Sequence, residues 1–115
     1  VITCIDGEKL RALTKGKTYD SKAVNIRHNS KNASFVGDSV TIQLKGTKYF
    51  KDKPSDEYLI NVNKFIEYMK SHSFQISANK SFETYCTTLS DHCAMMSNDE
   101  ATYSFLNTCL VFKFT

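Results

Sequence analysis

The chain has only four glycines and one proline among its 115 residues, and no arginine follows Arg27. With so few glycines it carries no Gly-rich loop of the kind that holds phosphate groups. No apolar run approaches the ~20 residues that a membrane-spanning helix needs, so we expect no membrane partner. There is also no repeat, low-complexity tract or linker, which predicts that residues 1–115 form a single domain.

The composition is typical of an ordinary folded domain. Hydrophobic residues make up 41% of the chain and charged residues 23%, a balance that excludes an intrinsically disordered protein. Fifteen Lys and Arg residues against twelve Asp and Glu residues give a net charge of +3. We interpret this as a mixed-charge surface, which permits contact with phosphate without implying it.

One cysteine lies near each end of the chain and two lie close together: Cys4, Cys86, Cys93 and Cys109. An even number in this arrangement favours two disulfides in an oxidising compartment over free cytosolic thiols. The first residue is Val1 rather than methionine, as expected of an engineered polypeptide or of a mature protein whose leader was removed. The cysteines favour the second alternative, and hence a secreted protein.

Hydrophobic periodicity predicts a chain rich in strands. Apolar residues alternate with polar ones over 40–44, 58–62 and 74–78, which is the period of a half-buried strand. Residues 103–106 and 110–112 also favour strand, with a break or bulge between them. The apolar C-terminal residues indicate a segment that packs into the core rather than a frayed end.

The remaining segments are assigned from turn and capping residues. Turn residues at 5–8 and 14–17 predict a small N-terminal hairpin. Asp20 or Ser21 could cap a short helix over 22–28. Residues 64–72 fit a helix or a strand–turn–strand equally well, and residues 82–98 show no period.

A metal site receives little support from the sequence. Cys86, His92 and Cys93 resemble a fragment of a zinc site. The spacing between the two cysteines lies outside the usual short knuckle, and no second close pair completes four ligands. We therefore expect neither a metal nor a cofactor.

Acid–base catalysis needs a histidine or carboxylate beside a cation that can stabilise developing charge. The candidate residues are His28, His72, His92, Glu57, Glu67, Glu83, Arg11 and Arg27. Nothing in the sequence brings any two of them together, so the residues alone reveal no activity.

The two ends of the chain resemble those of a known family. Ile2-Thr3-Cys4 runs into an acidic-glycine turn, and Cys109 lies within the closing hydrophobic segment 107–112. With a short helix and a run of antiparallel strands between these ends, the chain resembles the fungal secreted ribonucleases of the T1/F1 type. It is more closely similar to the ribonuclease-like effectors secreted by powdery mildew fungi. Ile2 differs from the aromatic residue that the family has two positions before its first cysteine.

The resemblance implies an α+β fold in which a short helix packs on a central antiparallel β-sheet, with two disulfides. It implies that Cys4 is joined to Cys109, while Cys86 and Cys93 form an added pair that only some members share. Active members cleave RNA with a glutamate, an arginine and histidines on the concave face of the sheet. Arg11 and Arg27 both precede the strands where that arginine belongs, so no catalytic position carries over.

The function implied is that of a secreted, monomeric virulence effector without catalytic residues. Such an effector binds host protein or RNA, can be delivered into the host cell, and is recognised as an avirulence protein by plant intracellular immune receptors. Two alternatives stay open. One is an active secreted ribonuclease that uses His92 or His28. The other is a cytosolic SH3-like interaction module, which the turn from Leu13 to Tyr19 resembles and which reduced cysteines would favour.

Overall fold

A computed structural model describes residues 1–29, 38–46, 53–88 and 96–115. These ranges contain short helices and two antiparallel sheets, so the predicted α+β class is confirmed. In chain order the elements are β1 (Ile2–Ile5), α1 (Gly7–Thr14), β2 (Tyr19–Asp20), β3 (Val24–His28), β4 (Ser39–Leu44), β5 (Ser55–Tyr58), α2 (Val62–Ser71), β6 (Phe74–Ser81), α3 (Phe82–Thr88), α4 (Asn98–Ser104) and β7 (Asn107–Phe114).

The first sheet is a four-stranded antiparallel meander in the order β2-β3-β4-β5. One of its faces is apolar and packs against α1, whose Leu10 is fully buried. Alternation along the strands places these apolar side chains on the same face. The buried cluster consists of Leu10, Val24, Ile26, Val40, Ile42, Leu59 and Leu106.

The second sheet joins the two ends of the chain in the order β1-β7-β6. β7 is its central strand, with Ile2 of β1 opposite the fully buried Leu110. α2 covers the same face, where the rings of Phe65 and Phe112 meet edge to face with centroids 5.7 Å apart. The C-terminal segment is therefore packed through Phe112, as the sequence predicted, whereas the residues after it are exposed and Phe114 retains 69% of its accessible surface.

The N-terminal hairpin is wrong, because α1 begins where the turn was expected. The Asp6 carboxylate accepts hydrogen bonds from the backbone N–H groups of Glu8 and Lys9, which makes Asp6 the N-cap of the helix. Gly7 follows it, and its N–H donates to the Ile60 carbonyl at 2.9 Å. A Cβ at Gly7 would lie 2.9 Å from that carbonyl oxygen, so this close approach requires glycine.

Two further predictions of secondary structure are wrong, one for residues 22–28 and one for residues 103–106. Residues 22–28 contain β3 rather than a helix, since Val24 and Ile26 alternate into the core and pair with β4. Residues 103–106 lie at the end of α4 and in the turn after it rather than in a strand.

The alternation over 40–44 is confirmed as β4, and that over 74–78 belongs to β6. The run over 58–62 is only partly strand, because β5 ends at Tyr58 and Asn61 caps α2. The ambiguous residues 64–72 are helical through Ser71. No helix in the described ranges has both the length and the apolar character to cross a bilayer.

The implied disulfide between Cys4 and Cys109 is not formed, and both residues are free thiols. Their strands do pair, but Cys4 is opposite Thr108 and Cys109 is opposite Thr3. Residues directly opposite each other project to the same face, and neighbours along a strand project to opposite faces. The two sulfurs therefore lie on different sides of the sheet.

The structure describes only one cysteine of the second implied disulfide. Cys86, in α3, is disulfide-bonded. Cys93 lies outside the described residues. Cys109 meets a different neighbour, since the Tyr85 phenol hydrogen-bonds its sulfur and this bond raises the pKa of Tyr85.

Candidate functional site

A polar cluster lies where α1 meets the ends of β3 and β4. The Arg11 guanidinium binds the Asp38 carboxylate through two hydrogen bonds, Nε to Oδ2 at 3.1 Å and Nη2 to Oδ1 at 2.5 Å. Asp38 is only 4% exposed. Beside this ion pair, the Thr14 hydroxyl lies 2.7 Å from Nε2 of His28. The cluster therefore brings together Arg11 and His28, two of the candidates for acid–base catalysis.

Both ring nitrogens of His28 are occupied or enclosed. Nε2 is held by Thr14, while Nδ1 is buried without a hydrogen-bond partner among the described residues. Burial lowers the pKa of His28, and the positive charge of Arg11 lowers it further, against a smaller opposing effect of Asp38. The lowered pKa favours the neutral imidazole at neutral pH, and its Nε2 is already engaged by the Thr14 hydroxyl.

Glu57 approaches this cluster along the sheet. Cross-strand pairing puts His28 opposite Val40, and Val40 opposite Glu57, so the three residues form a row on the face that packs on α1. Val40 is fully buried and fills the position between the other two. Arg11, His28 and Glu57 therefore share one neighbourhood, but an apolar side chain separates the histidine from the glutamate.

The other candidates are dispersed over the surface. His72 follows α2 and contacts Tyr68, with the ring centroids 4.7 Å apart and the ring planes tilted by 59°. Glu67 and Glu83 are exposed on α2 and α3, and Arg27 is exposed on β3. His92 lies outside the described residues. The described ranges contain no group of three or more His, Cys, Asp or Glu side chains arranged for a metal ion.

Two members of the cluster could not be predicted from the sequence. Asp38 precedes β4 in a stretch without periodicity, and Thr14 was assigned to a turn. The one available signal is the spacing of Arg11 and Thr14, three residues apart and therefore on one side of a helix. That spacing has meaning only once α1 is recognised.

The opposite face of the meander is polar and reaches solvent; we call it the polar face. It consists of Asn25, Arg27, Thr41, Gln43, Asp56 and Tyr58, the residues that alternate with the buried ones. Arg27, Asp56 and Tyr58 are exposed, and Tyr58 retains 76% of its accessible surface.

Hydrogen bonds order this face from within. Thr41, in the central strand β4, donates its hydroxyl to Oδ1 of Asp56 at 2.7 Å. Arg27 is opposite Thr41 on the other side, and its guanidinium has no ion-pair partner in the part of the chain that the structure describes. At the border of the face, the Lys45 ammonium binds Asp20 at 2.5 Å. The two positive charges are balanced by two negative ones.

A cavity of about 430 Å³ lies at the other end of the meander, beside α4. Its apolar lining includes Leu44, Met96 and Tyr103, and its charged lining includes Lys22 and Glu100. Burial raises the pKa of Tyr103, and the Glu57 carboxylate adds to this effect. Met96 directly follows a stretch that the structure does not describe, so we assign no ligand to this cavity.

Comparison with known proteins gives no further guide to the site. No protein-family model matches the chain, and no curated protein is detectably similar to it in sequence.

Proposed function

We propose that this chain is a non-catalytic binding protein that contacts a partner protein through its polar face. The observation that carries the proposal is the contrast between its two polar regions. In the cluster around His28, Arg11 pairs with the buried Asp38, and Thr14, also buried, hydrogen-bonds the histidine. The polar face presents Arg27, Asp56 and Tyr58 to solvent on a hydrogen-bonded sheet.

A protein partner fits this surface better than RNA. Nucleic acid binding draws most of its affinity from cations placed against phosphates. Among the described residues of this face and its border, Arg27 and Lys45 are offset by Asp20 and Asp56, so this part of the surface has no excess of positive charge. Tyrosine and arginine, here exposed on two strands of the same face, are instead among the residue types enriched at protein interfaces.

The interpretation as a secreted, ribonuclease-like effector remains a proposal of its own. Two observations support it: Cys86 is disulfide-bonded, which favours an oxidising compartment, and α1 packs on an antiparallel sheet. The free thiols of Cys4 and Cys109 weigh against the terminal closure that the resemblance implies. That the partner is a host protein, such as a plant immune receptor, is part of the same proposal.

The binding proposal is tested by quantitative cross-linking and mass spectrometry in a plant leaf extract. The wild-type chain is compared with Arg27→Glu and Tyr58→Ala, which change the polar face, and with Tyr68→Ala on α2 as the control. We expect one set of proteins to cross-link to the wild type and to Tyr68→Ala but to be lost with both polar-face variants. Capture unchanged by either polar-face variant would refute this surface.

A second candidate is the SH3-like interaction module. The specific observation in its favour is that the turn after α1 leads directly into a four-stranded meander, while the terminal cysteines remain reduced. It shares the prediction of a binding surface and differs in compartment. Undiminished cross-linking to the partner protein in strong reductant would favour the SH3-like module. Loss of cross-linking on reduction would favour the secreted form.

The enzymatic alternative has a separate test. Labelled single-stranded RNA is incubated with the purified chain across a range of pH, and His28→Gln serves as the control for contaminating nuclease. We expect no cleavage above that of the variant. Cleavage that disappears in His28→Gln would establish a ribonuclease and overturn the non-catalytic proposal.

A further inference from the structure

Among the strands that the structure describes, β6 (Phe74–Ser81) lies at an edge of the second sheet. The direction of its backbone groups follows from one hydrogen bond, in which the Thr115 N–H donates to the Ser73 carbonyl at 2.9 Å. Residues of an antiparallel pair alternate between directing their N–H and C=O groups toward the partner strand and away from it. Since Ser73 points toward β7, Gln75 does so too, and Phe74 and Ile76 point outward.

These outward groups are available for pairing. No backbone hydrogen bond to Phe74 or Ile76 from outside the sheet occurs within the described ranges. A β-bulge between Ile76 and Ala78 interrupts the register and limits the regular part of the edge to its first residues. An incoming strand would therefore pair with residues 74–76.

A groove runs along this part of the edge, between β6 and α2. Its walls are Ile66 and Lys70, one helical turn apart on α2, and Gln75 and Ile76 on β6. The volume of about 230 Å³ is below the roughly 300–1,000 Å³ of small-molecule sites, so the groove suits a single aliphatic side chain. The two isoleucines are partly exposed and give it an apolar lining.

The charge around the groove is positive. Lys70 lines it, is exposed, and has no ion-pair partner among the described residues. A chain that enters here therefore meets the Lys70 ammonium, which favours an acidic residue next to the aliphatic one.

The geometry points to a peptide-docking site: an extended segment of a partner protein adds to the β6 edge, with an aliphatic side chain between Ile66 and Ile76 and an acidic residue at Lys70. This mode combines main-chain hydrogen bonds, which supply affinity, with a side-chain groove, which supplies specificity. It is independent of the polar face, which lies on the other sheet.

The probe is a short fluorescein-labelled peptide of alternating threonine and valine, with one central leucine beside an aspartate. Fluorescence anisotropy measures its affinity for the full chain, and amide NMR spectra locate its contacts. We expect shift changes at Phe74 and Ile76. Methylation of the peptide's backbone nitrogens on the pairing side removes donors without changing the side chains, so binding should be lost.

Two charge variants on α2 separate the groove from general electrostatics. Lys70→Glu should lower the affinity for the aspartate peptide by about tenfold, equivalent to 1.4 kcal/mol. The same variant should raise the affinity for a matched peptide that has lysine in place of aspartate. Lys64→Glu makes the same charge change at an exposed position that does not line the groove, and should leave the affinity within about twofold.

Three results would overturn the proposal. One is equal binding of the N-methylated peptide, which would mean that no strand is added. Another is an equal effect of the two charge variants, which would mean that only net charge matters. The third is concentration-dependent self-association with shifts at Phe74 and Ile76, which would make a second copy of this chain the occupant of the edge.

Discussion

Cys4 and Cys109 lie in paired strands but one residue out of register, so their side chains emerge on opposite faces of the same sheet. The chain's two ends are therefore joined by backbone hydrogen bonds and the packing of Leu110, without a covalent link. Cys4 is half-buried, and burial raises the pKa of its thiol, with the Asp6 carboxylate adding to the shift. Its thiolate, the reactive form, is consequently disfavoured.

The first prediction concerns the cost of removing each cysteine. Cys86→Ser breaks a disulfide and should lower the free energy of unfolding by about 2 to 5 kcal/mol. Cys4→Ser and Cys109→Ser remove no covalent bond and should cost about 1 kcal/mol or less. Urea denaturation of the three variants measures this. A loss for Cys109→Ser as large as that for Cys86→Ser would mean that the terminal thiols are bonded.

The second prediction concerns the buried ion pair. Arg11→Ala removes the guanidinium that binds the buried Asp38 carboxylate and should cost about 3 to 5 kcal/mol. Arg27→Ala is the matched control, because this exposed arginine has no ion-pair partner in the described chain, and its effect should stay within about 0.5 kcal/mol. Similar melting temperatures for the two variants would show that the pair does not hold α1 to the sheet.

The third prediction is a loss of stability in mild acid. His28 in the unfolded chain titrates near its usual pKa of about 6.5, and its folded pKa is lower. At pH values below about 6.5 the unfolded state therefore binds more protons than the folded state. As the pH is lowered from there, the free energy of unfolding decreases until the pH is below the folded pKa of His28. The full contribution is present above 6.5.

Urea midpoints measured from neutral to mildly acidic pH test this slope. His28→Gln should flatten it. A slope that survives in His28→Gln would assign the pH dependence to other groups.

The fourth prediction tests the packing of α1. Leu10→Ala removes a fully buried side chain from the core and should cost about 2 to 5 kcal/mol. Lys9→Ala is next to it on the same helix but exposed, and should change the stability by less than about 0.5 kcal/mol. Equal effects would mean that α1 does not rest on the meander.

The sequence predicted the strands whose alternation is complete. Val40, Ile42 and Leu44 project into one core while their neighbours face solvent, so the period is visible. The segment of β3 has the same period in Val24 and Ile26, but a possible cap at Ser21 favoured a helix. In the structure the Ser21 hydroxyl instead accepts from Ala23 and Val24 in the turn before the strand.

The cysteine pairing could not be predicted, because register is invisible in the sequence. A slip of one residue between β1 and β7 would move Cys4 to the face of Cys109. The cluster around His28 was missed for a related reason. Asp38 reaches Arg11 across 27 positions, and only the folded sheet brings them together.

The most direct test of the proposed function uses two tyrosines of the wild-type chain. Tyr58 on the polar face is 76% exposed, and Tyr68 on α2 is 51% exposed, so both are accessible to hydroxyl-radical oxidation. After addition of the cross-linked partner protein, oxidation of Tyr58 should fall while that of Tyr68 is unchanged. Unchanged oxidation of Tyr58 in the complex would contradict the assignment of the polar face as the binding surface.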